Sequence, residues 1–302
     1  MGIWRGLERS LSLIPCSLSA GTWCFDSQDP KCGPTHWKEL APACGGPIQS
    51  PINIDLRLVQ QDSSLQPFVF QGYNLAPPVL LHMDTSPQNH LEMWGAGLPS
   101  PAYRAQQLHF HWGAPGHTGS EHSLDGKHYS MEMHVVHINT KYQSLGEAHL
   151  PDGLAVLAVL LAEQNQDNAN FSAIVLGLND VSSPGVSVNM TSTFPLASLL
   201  PGPLVLLHYY PYSGSLTTPG CEPTVLWTVF KNTVPIGHLQ LAQFQAVPQA
   251  GMLGLHPEPL RDNFRPLQPL GGPAVPPVSP ILAGVHGALL GLGLSLVLWQ
   301  NP

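Results

Sequence analysis

Gln107-Leu-His-Phe-His-Trp112 decides the reading of this chain. The residues from Ala102 to Trp112 read as a strand, and on a strand His109 and His111, two apart, point to one face of the sheet. A turn-rich loop from Gly113 to Lys127 leads into a second alternating run, Tyr129 to Asn139. That run can return beside the first and bring His134, 23 residues beyond His111, up to the pair. Three neutral imidazoles on rigid strands, with no cysteine or carboxylate obliged to complete the set, describe a catalytic zinc site with an open fourth position. A ligating histidine also needs its second nitrogen anchored. Gln107 shares a strand face with His109, and Glu132 shares one with His134, so hydrogen-bonding side chains stand beside two of the three.

The bulk numbers narrow the class. The chain has 302 residues, 43% of them hydrophobic, with strand-like runs spread evenly, which fits one large domain with processed ends. A net charge of −8 with only 10% charged residues leaves no basic face for nucleic acid, so that partner class is excluded. Thirty-two prolines and 29 glycines mean many loops. Phe68 to Tyr73 and Leu204 to Tyr210 read as strands, as does Thr224 to Phe230. The nearly continuous apolar run Gly153 to Ala162 reads as a strand buried on both faces, and Phe171 to Leu178 and Ile236 to Ala246 read as helices. The expected fold is α+β but mainly β, a single domain over residues 22–270. It has a large twisted, mostly antiparallel central sheet and a few short peripheral helices.

Secretion is the expected route. Residues 1–21 make an atypical signal peptide, with a short apolar run from Leu11 to Leu18 broken by Pro15. Cys16 leaves with it, and Cys24, Cys32, Cys44 and Cys221 remain, for which three pairings are open. Asn170-Phe-Ser172 and Asn189-Met-Thr191 are glycosylation acceptors. Residues 271–302 depart from everything before them. A Pro- and Gly-rich spacer precedes Ile281 to Trp299, which carries no formal charge, and only three residues follow. Small residues, a spacer and a terminal apolar segment are the signal for a glycolipid anchor, with Gly271 as attachment residue. A retained transmembrane segment is the alternative. Either way the expected place is the extracellular face of the plasma membrane.

Four motifs together carry a resemblance: Q-L-H-F-H-W-G at Gln107, G-S-E-H-S-L-D-G at Gly119, M-E-M-H-V-V-H at Met131, and S-G-S-L-T-T-P at Ser213. With Gln49-Ser-Pro-Ile-Asn-Ile54 and the closing Asp262-Asn-Phe-Arg-Pro-Leu-Gln-Pro269, they resemble the α-carbonic anhydrases, from about Thr22 to about Leu270. The flanking cysteines and the tail resemble the membrane-anchored branch of that family. The resemblance implies Zn2+ held by His109, His111 and His134, and reversible hydration of carbon dioxide to bicarbonate and a proton. It assigns Gln107 to His109, Glu132 to His134 and the backbone carbonyl of Asn263 to His111. Thr217 would donate its hydroxyl proton to Glu121 and orient the nucleophile, and Thr218 would hold bicarbonate. Leu216, Val136, Val156, Val225 and Trp227 would form the apolar wall for CO2. Cys24 pairs with Cys32 and Cys44 with Cys221 on the same grounds, and sulfonamides become expected inhibitors.

In one place the chain departs from the family pattern. The N-x-G-H motif that supplies a proton-shuttle histidine is missing, because Gly72-Tyr-Asn-Leu-Ala-Pro-Pro78 runs directly into Val79-Leu-Leu-His-Met-Asp84. His82 and His90 lie nearby without that context. The alternative function is therefore a catalytically weak or inactive carbonic-anhydrase-related cell-surface binding module. Other chemistries fail: there is no G-x-S-x-G, P-loop or C-x-x-C, and Ser120-Glu121-His122 is no triad, since adjacent residues cannot hydrogen-bond in that order. His117, His128, His137, His149, His208, His238 and His256 read as surface or structural histidines.

Overall fold

The computed structural model describes residues 23–63, 65–76, 91–99, 101–144, 146–181, 192–248 and 259–270, and the backbone of 281–283. An eight-stranded sheet dominates it. Its order runs Phe68–Gln71, Glu92–Gly95, Tyr103–Trp112, Met131–Asn139, Leu154–Gln164, Val225–Phe230, Tyr209–Gly214, and Val234–Gly237 also pairs with Leu154–Gln164. Pairing is antiparallel except where Leu154–Gln164 meets Val225–Phe230 and Val234–Gly237, both parallel to it.

The two histidine strands carry the feature that matters most for the site. Ala105 lies opposite His137, but Gln107 lies opposite Val136, so one extra residue is accommodated between them as a bulge. A one-residue shift exchanges the faces of a strand. Before the bulge Tyr103 and Ala105 point into the larger core with Met133, Val135 and Phe171. After it Phe110 and Trp112 take over that core, and 107, 109 and 111 turn to the other face. His109 thereby lies opposite His134, and His111 opposite Glu132.

Leu154–Gln164 is buried on both faces, as its unbroken apolar run requires. Ala155, Leu157, Val159 and Leu161 enter the larger core, while Leu154, Val156, Ala158 and Leu160 enter a second cluster on the site face with Val136, Val225 and Trp227. Each fully buried Leu or Val of this kind is worth about 1.5–3 kcal/mol of transfer free energy.

Several expected boundaries move. The apolar run Leu204 to Leu207 forms turns closed on Gly202, with Leu204 88% exposed, and the strand runs from Tyr209 to Gly214 instead. Hydrophobicity misled there because Pro203 and the Gly202 turn break the ladder before the apolar residues reach it. Val234–Gly237 is a strand, and the helix begins only at His238 with Gly237 as its N-cap. Ser172–Asn179 is helical, preceded by a 3-10 turn at Ala169–Phe171.

Disulfides join Cys24 to Cys32 and Cys44 to Cys221. The second holds the chain start against the loop after Tyr209–Gly214. Beside it Trp23, Phe25 and Trp37 pack edge to face, and the Arg265 guanidinium lies 5.6 Å over the Trp37 ring. The backbone of Ile281–Ala283 runs parallel to Gln60–Asp62. Among the described residues no helix is long and apolar enough to cross a membrane.

Candidate metal centre and active site

Register brings the three histidines together. His109 Nε2 and His111 Nε2 each lie 3.1 Å from His134 Nδ1. Ligands about 2.05 Å from a tetrahedral zinc stand roughly 3.4 Å apart, so the spacing fits that ion.

The outer nitrogens fix what the inner ones carry. His111 Nδ1 faces the Asn263 carbonyl at 2.8 Å and must donate to it, which leaves Nε2 a bare lone pair. His134 Nε2 donates to Glu132 Oε1 at 2.7 Å, which leaves Nδ1 a lone pair as well. Two lone pairs at 3.1 Å repel, and protonating them is opposed: burial, then the neighbouring imidazoles, holds His109 well below its ordinary pKa, and burial followed by His111 lowers His134. A metal cation would satisfy such a cluster, and neutral imidazole nitrogens suit zinc. The residues fit the metal.

Glu132 anchors more than His134. It is fully buried, yet although burial pushes its pKa up, His122 and His134 bring it well below the carboxylate range. Its Oε1 lies 2.6 Å from His122 Nδ1, and its Oε2 accepts the His122 backbone N–H at 2.7 Å. His122 Nε2 lies 2.6 Å from the Tyr212 hydroxyl, which is 2.9 Å from Ser50 Oγ, and Ser50 Oγ accepts the Ser215 N–H at 3.0 Å. His122, Tyr212 and Ser50 were not singled out from sequence. His122 follows Glu121 directly and looks like loop, and nothing in the one-dimensional pattern places Tyr212 90 residues away against it.

Asn263 serves two strand residues, since its Oδ1 accepts the Trp112 N–H at 2.8 Å while its own carbonyl takes His111. Glu121 has no exposed surface. Its Oε1 accepts the Arg265 N–H at 2.8 Å, and its Oε2 lies 3.5 Å from His111 Nε2 with no hydrogen-bond donor. Arg265 in turn donates to the carbonyls of Ser50 and Cys44, and burial lowers its pKa to about 10.

Thr217 is buried at 5% exposure on the loop that ends in Cys221, where the Cys221 N–H donates to the Thr218 carbonyl at 3.0 Å. No hydrogen bond joins Thr217 to Glu121, and His109 Nδ1 is buried without a partner rather than bonded to Gln107. Glu121 Oε2 and His109 Nδ1 are thus both buried polar atoms without a partner. Val136, Val156, Val225 and Trp227 form one apolar cluster with Leu216 packed on it, and the Trp227 ring stands 4.8 Å from His134. Asn170 is exposed, its Nδ2 donating to the Ser198 carbonyl. His82, His90, Asn189 and Gly271 lie outside the described residues.

A twisted mixed sheet that brings together three histidines able to hold a metal ion, with an apolar cluster on the same face, defines the class, and the family model for eukaryotic-type carbonic anhydrases matches residues 32–277. The chain belongs to that family of zinc enzymes, which hydrate carbon dioxide reversibly. Among its relatives, mouse carbonic anhydrase 15 is 65% identical over 94% of both chains. Human carbonic anhydrase 12 is 38% identical over 84% of this chain and 72% of its own, and rat carbonic anhydrase 4 is 34% identical over 96% and 93%.

Proposed function

We propose that this chain converts carbon dioxide and water to bicarbonate and a proton, with the reaction centred on His109, His111 and His134. The observation that carries the reading is the convergence of the three imidazoles, with the inward nitrogens of His111 and His134 left as lone pairs for a cation. Zinc bound there would supply a water far more acidic than bulk water, so that hydroxide is available at neutral pH, the effect for which carbonic anhydrase is the standard example.

The chain's residues supply the rest. Glu121, buried and short of one donor, would accept a hydrogen bond from the Thr217 hydroxyl. Thr217 then keeps a lone pair for the incoming nucleophile and so sets its direction. Thr218 holds bicarbonate, and the wall of Val136, Val156, Leu216, Val225 and Trp227 keeps water off the CO2 side. Gln107, on the strand face of His109, would anchor that ring's second nitrogen. Sulfonamides, which place an anionic nitrogen at the open position, inhibit.

The test is stopped-flow CO2 hydration on the purified chain beside its zinc stoichiometry. One zinc per chain with sulfonamide-sensitive turnover is expected. A folded, zinc-loaded protein without turnover favours the cell-surface binding module instead.

The same reading extends to place. A signal peptide over residues 1–21, two disulfides, a glycan at exposed Asn170 and at Asn189, and a glycolipid at Gly271 put the enzyme on the extracellular face of the plasma membrane. Phosphatidylinositol-specific phospholipase C is expected to release the enzyme from intact cells, and retention after treatment counts against the anchor.

A further inference from the structure

A buried charge needs a reason. Arg265 is 2% exposed, and its guanidinium lies over the Trp37 ring. Taking a guanidinium out of water is costly, and an apolar side chain of similar volume commonly packs as well or better. Packing on Trp37 therefore does not explain an arginine at this position; the groups that its donors hold do.

Nη1 donates to the Ser50 carbonyl at 2.8 Å and Nη2 to the Cys44 carbonyl at 3.1 Å, so the planar fork spans two separate points of the chain start. Both points grip the loop that carries Thr217. Ser50 Oγ accepts the Ser215 N–H at 3.0 Å, and the Ser50 N–H donates to Ser215 Oγ at 2.9 Å. A Cβ on Gly214 would lie 2.2 Å from Ser50 Oγ, so the glycine is what lets the strand end come this close. At the other end of the loop Cys221 is bonded to Cys44. Thr217 is thus held from both sides by residues that Arg265 holds. The same arginine fixes the other partner, since its backbone N–H donates to Glu121 Oε1 at 2.8 Å and leaves Oε2 without a donor. Main chain and side chain of one residue support the two groups that the catalytic reading pairs.

We propose that Arg265 is the positioning residue that sets the separation of Glu121 from Thr217, and through it the direction in which the nucleophile meets CO2. It acts through other residues and not on the reacting atoms. Its main chain carries Glu121 and its side chain carries the two footings of the Thr217 loop, so a shift of Arg265 moves one partner relative to the other. Lysine cannot take its place, because a single ammonium does not reproduce the fork that reaches both carbonyls. This inference rests on the carbonic anhydrase reading, which gives Glu121 and Thr217 their roles.

The experiment compares zinc-loaded wild type with Arg265→Lys, Arg265→Met, Ser50→Ala, the double variant Arg265→Lys with Ser50→Ala, and Leu178→Ala, which opens the larger core on the opposite face of the sheet. Two readouts are taken: kcat/KM for CO2 hydration, and the NMR signals of the Glu121 carboxyl carbon and the Thr217 amide. Arg265→Lys should lower kcat/KM roughly tenfold and Arg265→Met about a hundredfold, the scale of a displacement of about 1 Å at the reacting groups. Zinc content should stay at that of wild type, and both signals should move. Ser50→Ala should move the Thr217 signal. In the double variant the loss in kcat/KM should fall short of the product of the two single losses, because both changes loosen the same loop. Leu178→Ala should destabilise the fold while leaving kcat/KM and both signals at wild-type values. Unmoved signals in Arg265→Lys, a double variant that loses the full product, or equal losses and shifts in Leu178→Ala overturns the proposal. If Arg265→Met does not fold, Arg265→Lys and Ser50→Ala carry the test. A zinc-loaded wild type without turnover defeats the function reading and this inference with it, whereas an active wild type matched in kcat/KM by both Arg265 variants defeats this inference only.

Discussion

Glu132 shows how much a single residue settles here. It accepts from His134 and from both the ring and the backbone of His122 within a fully buried setting, so its removal disturbs a ligand without touching the metal. Glu132→Gln is expected to weaken zinc binding by about 10–100-fold, the usual cost of losing such a support. Competition with a chromophoric chelator reads it. His137, on the opposite face of the same strand, illustrates a purely structural histidine. Its Nδ1 donates to the Ala155 carbonyl at 3.2 Å, the Tyr73 hydroxyl meets its Nε2, and burial lowers its pKa to about 4. A base whose folded pKa lies below its unfolded 6.5 stabilises fully above 6.5 and loses that stability as pH falls towards 4. The loss is about 3 kcal/mol at most. Urea midpoints of wild type should therefore drop more between pH 7 and pH 5 than those of a His137→Leu variant, and equal slopes would show that His137 is not the group involved.

At the scale of elements, the bulge between Ala105 and Gln107 and the disulfide at Cys221 set the site. The bulge turns three alternate side chains from the larger core to the other face of the sheet and puts His109 opposite His134. The Cys44–Cys221 bridge closes a separation of 177 residues and ties down the loop carrying Thr217, whereas Cys24–Cys32 closes only 8. By loop-closure entropy the long bridge is worth about 5 kcal/mol and the short one about half that. Replacing Cys44 and Cys221 by Ser should thus lower the denaturation midpoint more than replacing Cys24 and Cys32. It should also reduce turnover, while the short-bridge variant keeps it. A reversed order would mean that the long bridge does not hold the loop.

Across the whole molecule, metal and fold are coupled. The inward lone pairs sit between two strands at the middle of the sheet, so the ion binds the native state and not the unfolded chain. Removing zinc with dipicolinate is expected to lower Tm, and each hundredfold of zinc over its Kd should return about 2.7 kcal/mol. Calorimetry on apo and reloaded protein checks this, and an unchanged Tm would place the metal outside the cooperative unit.

Much of this was legible in the sequence because it is local. His109 and His111 share a face by the period of a strand, and the doubly buried run at Gly153 to Ala162 announces a strand in the sheet interior. What the sequence left open depends on contacts between distant segments. The extra residue at Gln106 is indistinguishable from ordinary alternation until the partner strand fixes the register. Leu204 looks like strand until the turns at Gly202 exclude it. Tyr212 and Arg265 acquire meaning from groups 90 to 221 residues away, and His122 gains the Tyr212 hydroxyl only through the fold. The sequence by itself determined which side chains could ligate a metal and on which kind of element. Only the tertiary structure decided which nitrogen of each ring faces inward, because that depends on the hydrogen-bond acceptor the fold brings to the other one.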